Sequence, residues 1–209
     1  MLWGRAGRPD IPAVTVGEVT TTISTIAQLA AAVGEPSPPG PPVAQAAGDN
    51  IALLDAWVAH LRVFSWEFLS APSPSRSRTF RELTVNVFNP FDLLPAAWET
   101  GEFPWHPEDD EAKGAAFSSH RELLAWAVGV GKRWSQFVAI EQDAFEDGRV
   151  LSSPRGEQEW EPLLVALRWH SAFHYRQLIE FADLKHVARP RGAVDVRTLI
   201  GLTLPEDVF

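Results

Sequence analysis

The sequence predicts a mainly α protein: an antiparallel four-helix bundle preceded by a small β-hairpin and helix. Three observations support this. Apolar residues recur every three to four positions in four long segments, capping residues precede those segments, and a proline-rich run at 36–42 separates a short N-terminal piece from the rest. With 209 residues, 45% of them hydrophobic, the chain can bury one globular core and a small appendage, and disorder as its main state is excluded.

In chain order, residues 11–16 and 19–23 are β-prone and flank Gly17-Glu18, a pair suited to a tight hairpin turn. Ser24 or Thr25 is placed to cap a helix running to Val33. Residues 35–44 are too rich in proline for helix or central strand and form a stiff linker, so the expected domains are 1–34, 35–44 and 45–209.

Helices are predicted over 49–69, 79–97, 119–142 and 160–185. Asp49 or Asn50 caps the first, whose stripe is Leu54, Trp57, Leu61, Phe64 and Phe68. The second starts near Thr79 and carries Leu83, Val87 and Leu94 on one side, with Asn86 and Pro90 among them. Residues 101–114 form a long acidic loop, a candidate lid, with a rigid apex at 103–107 and a solvated carboxylate run at 108–111 that could hold Ca²⁺ only weakly. Ser119 and Glu122 make a capping box for the third helix, whose stripe runs through Ala127, Val130, Trp134, Phe137 and Ile140. Gly129 and Gly131 within it permit a neighbour's close approach. Pro162 suits the first turn of the fourth, with Leu163, Leu167, His170, His174 and Phe181 on its inner face.

Twenty-seven Asp and Glu against eighteen Lys and Arg give a formal charge of −9. That surplus repels a phosphate backbone, so no nucleic-acid partner is expected. The absence of cysteine excludes disulfides, thiolate metal sites and thiol nucleophiles. No apolar stretch approaches the ~20 residues of a membrane helix and no signal peptide stands out, so a cytoplasmic protein without membrane partners is expected. Gly-rich phosphate loops, dinucleotide fingerprints and a Ser-His-Asp order are missing as well.

His170 and His174 stand four residues apart, which on a helix puts both imidazoles on the inner face. Inward histidines need hydrogen-bond partners, and the pair marks either a polar site or two structural histidines. Asn86, polar in an apolar turn, is the candidate third member. Pro90 has no N–H to give to the Asn86 carbonyl four residues back, so that carbonyl and the Asn86 amide are open to one place. The alternative is that Asn86 and Pro90 mark a kinked or early-ending helix. Nine tryptophans could wall an aromatic pocket: Trp57, Trp126 and Trp134 fall on helix stripes and read as core, whereas Trp105 and Trp169 are pocket candidates.

The run Trp169-His170-Ser171-Ala172-Phe173-His174-Tyr175-Arg176-Gln177-Leu178 resembles the last-helix signature of the DinB-like superfamily, which includes mycothiol-dependent maleylpyruvate isomerases and thiol S-transferases. Thr79-Phe80-Arg81-Glu82-Leu83-Thr84-Val85-Asn86-Val87-Phe88 resembles its second-helix signature, and residues 199–209 are similar to the tail of a branch in which a DinB-like domain follows a glutaredoxin-like one. The resemblance spans most of 45–209. It implies a divalent metal, zinc or nickel, held by three histidines, two of them at His170 and His174. The third position falls on Asn86, whose amide oxygen is a poor ligand; His60, on a stripe beside the apolar seam, is a weaker substitute. The same branch implies that 11–33 is the C-terminal half of a glutaredoxin-like domain with a cis Pro12, the CxxC part being absent; the alternative is an ordinary hairpin and helix. Such a remnant must dock on the bundle or on another subunit, which makes a homodimer one expected partner state.

Three functions are expected. The first is a small-molecule enzyme without the usual metal or any other cofactor. In it His170 or His174 is general acid or base, Asn86 hydrogen-bonds an oxyanion, and Arg176 or Tyr175 holds an anionic or phenolic group beside Trp169 and Trp105. Isomerisation, elimination or cyclisation of an aromatic or polycyclic substrate suits it better than hydrolysis. The second is a metal-dependent thiol S-transferase with zinc or nickel on His170, His174 and Asn86. The third is a non-catalytic ligand-binding or self-resistance protein.

Overall fold

A computed structural model describes residues 13–22, 26–34, 40–74 and 78–204. The chain divides into two compact units, Met1–Pro41 and Pro42–Phe209. In the first, β1 (Ala13–Val16) pairs antiparallel with β2 (Val19–Thr22) in a register that opposes Val16 to Val19, and α1 (Ile26–Val33) follows. Gly17, with φ of 62°, makes the tight turn between the strands. Pro12, Ser24, Thr25 and residues 35–39, on which the cis-proline, cap and stiff-linker expectations rest, lie outside the described residues.

The second unit runs α2 (Val43–Leu61), α3 (Trp66–Leu69), α4 (Phe80–Thr100), α5 (Asp109–Ala116), α6 (His120–Glu141), a 3-10 turn at Gln142–Ala144, a hairpin of β3 (Val150–Ser153) and β4 (Gly156–Glu159), α7 (Trp160–Leu184) and α8 (Val196–Ile200). The long helices α2, α4, α6 and α7 form a four-helix bundle, and side-chain pairings fix their directions. Asn50, early in α2, donates to the Leu164 carbonyl early in α7 at 3.3 Å, and later Trp57 and His60 meet Tyr175, so these two helices run parallel. Phe80 stacks on Phe181 while Trp98 meets Trp160, so α4 runs against α7. Phe88 meets Trp126, Phe91 meets Trp134 and Trp98 meets Phe137, so α4 and α6 run parallel. The order is therefore up, down, down, up.

Parallel neighbours need a connection that travels the length of the bundle. Residues 101–119 are that connection. The stretch expected as an acidic lid instead contains α5, which packs so closely on α4 that a Cβ on Gly114 would lie 2.6 Å from the Glu82 Cα. Gly129 and Gly131 do not serve the close approach expected of them. A Cβ on Gly131 would meet nothing within 4 Å, and one on Gly129 would meet only Arg133 of its own helix.

Other boundaries move for local reasons. The first bundle helix, expected at 49–69, begins behind Pro42, where a missing N–H costs nothing. Asp49 and Asn50 are not its caps: Asp49 pairs with Arg168 at 2.5 Å, and Asn50 is buried against α7. The helix stops at Leu61, and Ser65 caps the separate turn α3 by accepting from the Phe68 N–H. The helix expected at 79–97 starts from a full capping box of Thr79 and Glu82 and continues through Pro90 and Pro95 to Thr100, so it does not end early. Ser119 caps α6, but Glu122 turns back to Ser118, and Ile140 is 75% exposed while Val138 takes the inner position.

Aromatic side chains fill both ends of the bundle, with Phe68, Phe80 and Phe181 at one and Trp98, Phe137, Phe145 and Trp160 at the other. Trp57, Trp134 and Trp160 are fully buried, so much of the tryptophan content is core. Among the described residues no helix is long and apolar enough to cross a membrane.

Candidate functional site

The helical spacing of His170, His174 and Gln177 puts them on one side of α7. The two imidazoles sit edge to face, 4.5 Å apart between centroids and 89° between planes. His174 Nδ1 lies 2.7 Å from Gln177 Oε1. An oxygen there can only accept, so the proton sits on Nδ1 and the lone pair on Nε2. His170 Nε2 lies 3.3 Å from the Asn86 carbonyl of α4, the carbonyl that Pro90 cannot serve. By the same logic that Nε2 carries hydrogen and the lone pair is on Nδ1. Burial, with Arg78 and Arg155 adding positive charge nearby, pushes His170 down to about 4, against the partial restoring effect of the Asn86 carbonyl. His170 is therefore a neutral imidazole at neutral pH and a weak base.

The long connection supplies the wall. Gly101 and Phe103 exchange backbone hydrogen bonds with Ser152 of β3 at 2.8 and 2.7 Å, which anchors the stretch leading to Trp105. The Trp105 ring stands edge-on to His170 at 5.6 Å, and the Arg155 guanidinium lies 5.8 Å from the Trp105 ring centre.

Asp110, expected in a solvated charge run, is 1% exposed. Its carboxylate accepts from three side chains: Asn86 Nδ2 at 2.9 Å, Asn89 Nδ2 at 2.7 Å and Trp105 Nε1 at 3.0 Å. It stands in the first turn of α5, where the helix dipole favours a negative charge. Burial nevertheless raises its pKa, and the three donors and Lys113 pull it back only in part. Lys113 continues the chain by donating to Asn89 Oδ1 at 2.6 Å. The network ties α5 and Trp105 to the site face of α4. Of its members Trp105 and Asn86 carry a signal in the sequence, whereas Asp110 and Asn89 sit in stretches that read as acidic surface and as apolar helix.

The structure thus brings together His170, His174, the Asn86 backbone and Trp105. It leaves out the other expected residues. The Asn86 side chain is turned to Asp110 and Arg78, Nδ2 donating one N–H to the Asp110 carboxylate and Oδ1 accepting from Arg78 at 3.4 Å. Tyr175, one residue on from His174, points to another face of α7, packs against Trp57 and His60, and donates to the Val194 carbonyl. Arg176 is paired with Glu180 at 2.9 Å and reaches the Leu204 carbonyl. Trp169 is 39% exposed and stacks on Phe173. His60 bonds the Ala56 carbonyl through Nδ1 and lies by Tyr175.

A divalent metal of the kind the resemblance at His170 and His174 implies does not fit these residues. Two imidazoles are present, but the third position is an amide whose oxygen faces a guanidinium and whose nitrogen is bound to a carboxylate. Among the described residues no group of three or more His, Asp or Glu is placed to hold a metal ion.

The chain thus folds as a four-helix bundle in which sequential neighbours α4 and α6 run parallel. A solved structure of this kind is YfiT from Bacillus subtilis, described as a probable metal-dependent hydrolase with an unusual four-helix bundle topology. It is similar with a TM-score of 0.54 and 17% identity, over 68% of this chain and 89% of that one. No protein-family profile and no curated protein matches the chain.

Proposed function

We propose that the chain is a small-molecule enzyme that works without a metal, taking a proton from one position of its substrate and returning it to another in an isomerisation or ring closure, or to the departing group in an elimination. The observation that carries this is the pair of imidazoles with fixed tautomers beside a third ligand position that is taken up by Arg78 and Asp110. His174 is the general base, since Gln177 holds its Nδ1 proton and aims the lone pair of Nε2 away from it. His170, neutral and weakly basic, packs against the His174 ring and fixes its place, and Trp105 forms the wall against which an aromatic substrate lies. Metal-dependent hydrolysis, or thiol transfer on a metal, gains no support from this donor set.

The test is turnover on a panel of aromatic and polycyclic carbonyl compounds with exchangeable α-protons, read as deuterium uptake from D₂O. Chelated wild-type protein should exchange protons, and His174→Gln should lose ~10²–10⁴ of that rate while remaining folded. Exchange that appears only on adding zinc or nickel would overturn the proposal. Saturable binding without any exchange would favour a ligand-binding protein instead.

A further inference from the structure

A cleft of about 320 Å³ lies on the other side of α7 from His174, between α2, Tyr175 and the loop 190–194. Its floor is Ala52, Ala56 and Ala59, spaced so that three small side chains share one face of α2. Its polar groups are different in kind from those of the histidine pair. His60 is 1% exposed, its Nδ1 lies 2.8 Å from the Ala56 carbonyl, and its Nε2 has no hydrogen-bond partner. Nδ1 therefore carries the proton and Nε2 presents a lone pair, and burial keeps the ring neutral by lowering its pKa. Tyr175, fully buried and pushed up to about 12 chiefly by burial, stays a phenol, and its hydroxyl reaches the Val194 carbonyl only at a long 3.4 Å.

A buried nitrogen lone pair without a donor is costly, and native proteins satisfy such groups. The complement required is a donor that can also accept from a phenol, which is a hydroxyl. A carboxylate cannot donate to Nε2. The exposed lining residues Asp55 and Arg191 have opposite signs and give no net preference for an ion. The volume suits one ring, since an apolar cavity of about 150 Å³ already holds benzene.

We infer that this cleft is a second ligand site, separate from the histidine pair, which takes a neutral single-ring phenol or alcohol with its hydroxyl between His60 and Tyr175 and its ring on the alanine floor. The probes are phenol and toluene, nearly equal in shape and differing in the hydroxyl. Binding to the full chain is followed by calorimetry and by the ¹⁵N shift of the His60 ring. Phenol should bind saturably, about tenfold more tightly than toluene, and move the His60 Nε2 resonance. Ala56→Leu should abolish binding of both; Ala52→Leu, on the same floor, is the second variant if the first fails to fold. His60→Phe should remove the preference for phenol. The inference is overturned if neither probe saturates, if phenol binds no better than toluene, or if binding persists in a folded variant with the floor filled. Loss of proton exchange in His174→Gln leaves this site untouched, so the two ideas fail separately.

Discussion

Replacing Asp110 by Ala removes one carboxylate and strands three donors: Asn86 Nδ2, Asn89 Nδ2 and Trp105 Nε1. A buried donor left without its acceptor costs about 1–3 kcal/mol. Trp105 is half-buried and can turn toward water, and removing the carboxylate also relieves the burial that raises its pKa, so the three sum near the lower end, about 3–5 kcal/mol. At about 2–4 °C per kcal/mol for a unit of this size, the melting temperature should fall by roughly 10 °C. Asp110→Asn keeps the shape and one oxygen but turns an N–H toward other N–H groups, and should fall between wild type and Ala. The assay is urea unfolding followed by far-ultraviolet circular dichroism, with tryptophan emission reporting Trp105. A loss under about 1 kcal/mol for Asp110→Ala, with unchanged emission, would refute the idea that this carboxylate holds α5 and Trp105 to α4.

His170 gives a pH dependence with a definite sign. Its folded value of about 4 lies below the ~6.5 of an unfolded histidine, so as pH falls the unfolded chain takes up the proton first. Its contribution is complete above about pH 6.5 and is lost on the way down to about 4, by up to about 3 kcal/mol. His170→Gln should flatten that part of the stability profile, and an identical acid slope in variant and wild type would contradict the burial of a neutral ring. Gly114→Ala should destabilise by about 1–3 kcal/mol, because its Cβ would enter the Glu82 backbone, whereas Gly131→Ala should stabilise α6 by about 0.5–1 kcal/mol. Thermal melts of the two side by side check the pair.

The bundle was legible because each long helix carries enough turns for the apolar period to show, and the start of α4 declares itself through Thr79 and Glu82. The up, down, down, up order was not, since it depends on where the connection 101–119 travels and nothing in that acidic sequence marks α5 as packed on α4. The hairpin β3–β4 contributes one fully buried side chain, Leu151, too little for a pattern. At the site, Pro90 made the Asn86 carbonyl readable as an open acceptor, and that is where His170 lies. Asp110 was hidden because burying one carboxylate out of four adjacent ones is decided by Asn86, Asn89 and Trp105, which meet it only in the folded chain. Tyr175 and Arg176 adjoin the histidines in sequence, but successive helix residues turn by about 100°, which carries them to other faces.

The metal content of protein purified without a polyhistidine tag and dialysed extensively tests the metal-free site most directly. With two imidazoles opposite an amide bound to Arg78 and Asp110, zinc and nickel together should stay under about 0.1 equivalent. Close to one equivalent surviving dialysis, and lost in His170→Gln or His174→Gln, would contradict it and show a metal site at the histidine pair.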